Sequence, residues 1–122
     1  MKILFVWTFF IVLFSGCTAQ IAHKETRPPS PREEASTQLT QEGKHLLQAG
    51  NYDNAIRLLE QAIGLNPNNG QSYYYLAQAW LKKGMVSEAK EFNSLAGIYL
   101  KDDMNWSNRV EKQANQISRL ED

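Results

Sequence analysis

Between residues 36 and 101 the apolar positions recur every three or four residues, in runs broken at Gly50, Asn66-Pro67 and Gly84. Leu39, Gly43, Leu46 and Leu47 share one helical face. They predict a helix from about Ser36 or Thr37 to Ala49, capped by one of those hydroxyls and ended by Gly50. Asn51-Tyr52-Asp53 forms a tight turn, with Asp53 as the expected N-cap of a second helix reaching Leu65. Its inner stripe is Ile56, Leu59, Ala62 and Ile63, and Asn66 and Pro67 stop it. A third helix is expected over Gln71 to Lys83, with Tyr73, Leu76, Ala77 and Trp80 inward and Gly84 at its end. Ser87 is placed to cap a fourth, which turns Ala89, Phe92, Ala96 and Tyr99 inward. Asp102-Asp103 breaks the pattern and caps a fifth helix from Met104 or Asn105 to about Leu120. Its stripe is sparse: Trp106, Val110, Ala114, Ile117 and Leu120, with Arg109, Lys112 and Arg119 on the other side.

The pattern is written twice. Leu47, Gly50, Ala55 and Ala62 recur as Leu81, Gly84, Ala89 and Ala96, each pair 34 residues apart. A self-match at that period marks a helix–turn–helix repeat, and it resembles the tetratricopeptide repeat family. The family's signature falls on Leu39, Glu42, Gly43 and Leu46 in one helix and on Ala55, Leu59, Ala62 and Pro67 in the next. Small residues at such positions let paired helices approach closely. In the second copy Asn93 replaces an aromatic residue and Lys101 replaces the closing proline, as suits the last repeat of an array. The resemblance implies an all-α fold of two repeats, residues 36–69 and 70–103, closed by a capping helix over 104–122. Two repeats and one helix are close to the smallest stable stack, so self-association stays open.

The chain ahead of the repeats has a different character. Lys2 precedes an apolar run from Ile3 to Phe14, followed by Ser15-Gly16-Cys17. As a helix that run would rise about 18 Å, short of a hydrocarbon core of about 30 Å, which favours a cleaved signal peptide over a permanent span. Small residues directly before a cysteine resemble the bacterial lipobox. The resemblance makes 1–16 the signal peptide and Cys17 the lipidated residue, and Thr18 in the following position implies the outer membrane. Residues 17–35 contain Pro28, Pro29 and Pro31 and few apolar groups, so they read as a flexible tether that cannot offset its ordering entropy.

Charge and candidate chemistry narrow the function. Thirteen basic residues balance 13 acidic ones, which gives no basic footprint for nucleic acid. Cys17 is the one cysteine, so no disulfide forms within the chain. His23 and His45 have no second ligand at metal spacing, and Asn66 to Gly70 lacks the order of a phosphate loop. No cofactor, metal site or catalytic residue is expected, and the chain reads as a non-enzyme.

In tetratricopeptide proteins the first helix of each repeat lines a concave face. The resemblance places Thr37, Thr40, Lys44, Leu47 and Gln48 there, followed by Gln71, Tyr74, Gln78, Leu81 and Lys82. Lys44, Leu47, Gln48, Tyr74, Gln78, Leu81 and Lys82 form the expected peptide groove. Tyr74 leads that set, because Tyr73, Tyr74 and Tyr75 point in three directions and cannot all face the core. Family variants that grip a C-terminal carboxylate combine Lys with Asn; Lys44 and Lys82 are present here without those Asn residues, so that mode is not implied. The expected function is a lipid-anchored adaptor on the periplasmic face of the outer membrane, binding an envelope protein or peptide segment. The alternative is a self-associating structural or ligand-binding envelope lipoprotein, a homo-oligomer.

Overall fold

The computed structural model describes residues 27–122. The expected signal peptide, Cys17 and His23 lie outside the described residues. Among the described residues there are five helices and no strand: α1 (Pro31–Gln48), α2 (Tyr52–Leu65), α3 (Gly70–Lys82), α4 (Val86–Leu100) and α5 (Met104–Ser118). No helix among them is long and apolar enough to cross a membrane.

The first helix starts five residues before the expected Ser36. Ser30 is its N-cap, and its Oγ accepts from the Glu33 backbone N–H while the Glu33 carboxylate accepts from the Ser30 N–H at 2.6 Å. Pro31 occupies N1, where its fixed φ suits a helix start and its missing N–H costs nothing. The hydrogen bond from the Ser30 backbone holds the Glu33 carboxyl below its ordinary pKa. Residues 31–35, expected in the tether, are therefore helix, and Ser36 is buried within it.

The two tight turns share one geometry. Gly50 and Gly84 have φ of 81° and 78°. At each, the glycine N–H and the next N–H return to carbonyls of the finished helix: Gly50 to Leu47 and Asn51 to Leu46, then Gly84 to Leu81 and Met85 to Trp80. This is the Schellman closure, in which a left-handed glycine satisfies the orphan carbonyls. The following helices then begin two residues earlier than expected. Asn51 and Met85 stand at the N-caps of α2 and α4 without a side-chain bond, so Asp53 and Ser87 lie inside the first turn and cap neither helix. Asn69 and Asp103 do cap α3 and α5 through their side chains. They too are 34 residues apart, so α5 holds the register of a third repeat's first helix.

Packing follows the small residues. Ala55, Ala62, Ala77, Ala79, Ala89 and Ala96 are fully buried, as are Leu59 and Leu76. A Cβ on Gly43 would lie 2.8 Å from Leu59 Cγ, so α1 approaches α2 as closely as it does only because that atom is missing. The same holds at Gly70, where a Cβ would meet Leu100 Cγ at 2.5 Å. The central helix α3 touches each of the other four.

That position explains the three tyrosines. Tyr73 is buried, donates to the Pro67 carbonyl at 2.8 Å and stacks on Tyr99. Tyr75 is buried towards α1 and α2, and half-buried Tyr74 packs against α5. Two of the three are thus buried and Tyr74 is covered only in part, by α5. Tyr99 covers Tyr73 yet stays 40% exposed. On α5, Trp106, Val110 and Ile117 meet the stack, whereas Ala114 faces solvent, as does Leu120, which lies beyond the helix end at Ser118. Gln113 takes the buried place between them.

Candidate functional site

The first helices α1 and α3 lie against each other, and α2 contributes Tyr52 to the floor between them. The recess they form has a volume of about 280 Å³ and is lined by Lys44, Leu47, Gln48, Tyr52, Tyr75, Gln78 and Lys82. Equivalent positions of the two repeats face each other across it: Lys44 matches Gln78, and Gln48 matches Lys82. Each helix thus supplies one ammonium and one carboxamide one turn apart, in opposite order. The Lys44 ammonium sits 5.8 Å from the Tyr75 ring centroid, within range of a cation–π attraction that steadies a flexible side chain. The lining offers two positive charges, amide donors and acceptors, two phenols and the apolar Leu47. Such a mixture suits a polar peptide strand.

Five of the seven groove residues expected from sequence are brought together there: Lys44, Leu47, Gln48, Gln78 and Lys82. Tyr74 and Leu81 are not in the lining. Tyr74 packs edge-on against Trp106 at 5.4 Å and against Tyr75 at 5.3 Å. Burial raises its phenol pKa, while the nearby Arg109 guanidinium works in the opposite direction. Leu81 is half-buried. The sequence reading missed Tyr52 and Tyr75: Tyr52 stands in a turn by pattern, and Tyr75 reads as one of a run. Helical spacing could have found Tyr75, since it lies three residues before Gln78 on the same helix.

Thr40, also expected on the concave face, is buried instead. Its Oγ1 donates to the Ser36 carbonyl at 2.7 Å and meets the Ser72 Oγ at 2.6 Å. The Asn69 amide donates to Ser36 Oγ at 2.9 Å and to Thr40 Oγ1 at 3.2 Å, and Ser36 Oγ donates to the Ala62 carbonyl at 2.8 Å. These bonds lock α1, the α2–α3 loop and α3 in one register below the recess. Buried hydroxyls are tolerated only when so satisfied. The recess therefore stands on a fixed base, and Thr37 and Gln71 lie outside it.

No curated protein matches the chain. The family model for the tetratricopeptide repeat matches residues 46–107, from the last turn of α1 to the first of α5, which is more than half of the chain. Tetratricopeptide repeats are typically non-catalytic scaffolds for protein–protein interaction. With two helical hairpins in 34-residue register and a fifth helix continuing it, this chain belongs to the tetratricopeptide repeat family.

Proposed function

We propose that the protein is a non-catalytic adaptor, lipidated at Cys17 and held on the periplasmic face of the outer membrane, which binds a segment of an envelope protein in the α1–α3 recess. The observation that carries the interaction role is the recess itself, where two ammoniums and two carboxamides from equivalent repeat positions converge over paired tyrosines. The anchoring role rests on the sequence, in which Lys2, a short apolar run and Ser15-Gly16 lead directly to Cys17. Pro28 and Pro29 stand between that cysteine and the Ser30 cap, a composition that spaces the helical unit from lipid headgroups.

The test separates the two halves. Cys17→Ser should abolish incorporation of labelled fatty acid and release the protein from membranes, with the helical unit still folded. A Cys17→Ser protein that still matures and sediments with membranes would overturn the anchor. Crosslinking in intact cells should yield a stoichiometric complex with a different protein, and self-products alone would favour the structural alternative.

A further inference from the structure

The recess is electrostatically one-sided. Lys44 and Lys82 line it, and among the described residues no carboxylate does. Neither lysine is paired with an acid among the described residues, whereas Arg27, Lys83 and Lys90 are paired with Glu33, Asp53 and Glu121. Asp53 follows Tyr52 in sequence, but Lys83 holds it. The two unpaired ammoniums stand on a diagonal. Four helical residues rise about 6 Å and packed helices lie about 8–10 Å apart, so the lysine stems are rooted roughly 10–12 Å from each other. An extended chain covers that span in about three residues at about 3.3 Å each.

From this we infer that the occupant of the recess is an acidic internal segment of the partner, extended, with two side-chain carboxylates about three residues apart. Lys44 and Lys82 take the carboxylates. Gln48 and Gln78 complete each corner with an amide that can bond the strand's own N–H and C=O groups, and the rings of Tyr52 and Tyr75 exclude water beneath. Those amides and rings favour a peptide over a bare phosphate, which would leave their acceptors unused. The inference rests on the concave-face reading above and names the chemistry of its partner.

The test uses the full chain in neutral detergent and two short fluorescein-labelled peptides, one of Glu and Ser and one of Gln and Ser, both amidated at the C-terminus. Fluorescence anisotropy should show the Glu peptide binding at least about tenfold tighter, with its affinity falling about tenfold between about 50 and about 300 mM salt. Lys44→Gln and Lys82→Gln should each weaken it about threefold, with thermal stability unchanged, and Lys44→Arg and Lys82→Arg should restore most of the binding. Equal binding of the Glu and Gln peptides, or a double Lys→Gln variant that binds like the parent, would overturn the inference. So would recovery of binding only with a free C-terminal carboxylate, or full displacement by inorganic polyphosphate or anionic vesicles at equal charge. If a partner crosslinks at Gln78 through a neutral segment, the adaptor reading stands and this inference falls. If nothing crosslinks there, the adaptor reading falls first.

Discussion

Gln113 on α5 donates through Nε2 to the Oδ1 of Asn93 on α4 at 3.0 Å, in a seam where both side chains are buried. Asn93 passes its own amide proton to the Val110 carbonyl at 3.1 Å, and Gln113 also donates to the Tyr74 carbonyl at 3.2 Å. Two amides thus tie the last helix to both α3 and α4. This gives Asn93 a purpose at a position where the family carries an aromatic residue. A polar pair fixes the register of a helix whose apolar stripe is too sparse to fix it alone.

Removing one member should therefore cost more than removing both. Gln113→Ala strands the Asn93 oxygen and should destabilise the fold by about 1–3 kcal/mol. Replacing both residues by Leu should recover much of that loss, since no buried polar atom is then left unpaired. Urea unfolding of Asn93→Leu, Gln113→Leu and the double Leu variant measures the difference. A double variant whose loss equals the sum of the single losses would mean that the pair is not coupled.

Two glycines make a matched contrast. Gly70→Ala would drive a Cβ into Leu100 Cγ and Tyr99 Cβ, at 2.5 and 3.0 Å, and should cost about 1–3 kcal/mol by pushing α3 from α4. Gly64, exposed near the end of α2, has nothing within 4 Å of such an atom. Gly64→Ala should stabilise by about 0.4–1 kcal/mol. Thermal melts of both proteins should move in opposite directions.

The buried tyrosines set an alkaline limit. Burial raises the phenol pKa of Tyr74 and Tyr73 above the ordinary 10.0, because it penalises the charged form. Above that ordinary value the unfolded chain loses these protons before the folded one does. Stability should thus be fully present below pH 10 and decline as pH rises through the folded values. Tyr74→Phe should flatten the decline, as read from denaturant midpoints across that pH window.

What the sequence made legible follows from what is local. Gly50 and Gly84 revealed their turns because a left-handed residue leaves a glycine in the sequence. The start of α1 was also written there, as Ser30 and Glu33 at capping-box spacing with Pro31 between them. The neighbouring Pro28 and Pro29 give that stretch the composition of a tether, although proline at N1 starts a helix. Ser36 reads as a cap and Thr40 as a concave-face residue, and nothing local marks Ser72 or Gln113, because the burial of all four comes from helices meeting far along the chain. The recess was legible where the family resemblance carried it, at Lys44, Leu47, Gln48, Gln78 and Lys82. It failed at Tyr74, because no single-helix pattern says that α5 will cover that ring.

The central claim is that partners bind across the face made by α1 and α3. Its most direct test places a photo-crosslinking residue at Gln78, in the recess, and separately at Arg57, on the exposed side of α2, in cells that make the protein. Irradiation should give a discrete product with a second protein from position 78 and none from position 57. Lys82→Glu in the same chain should remove the product. Equal products from both positions, or a product from position 57 alone, would contradict the account.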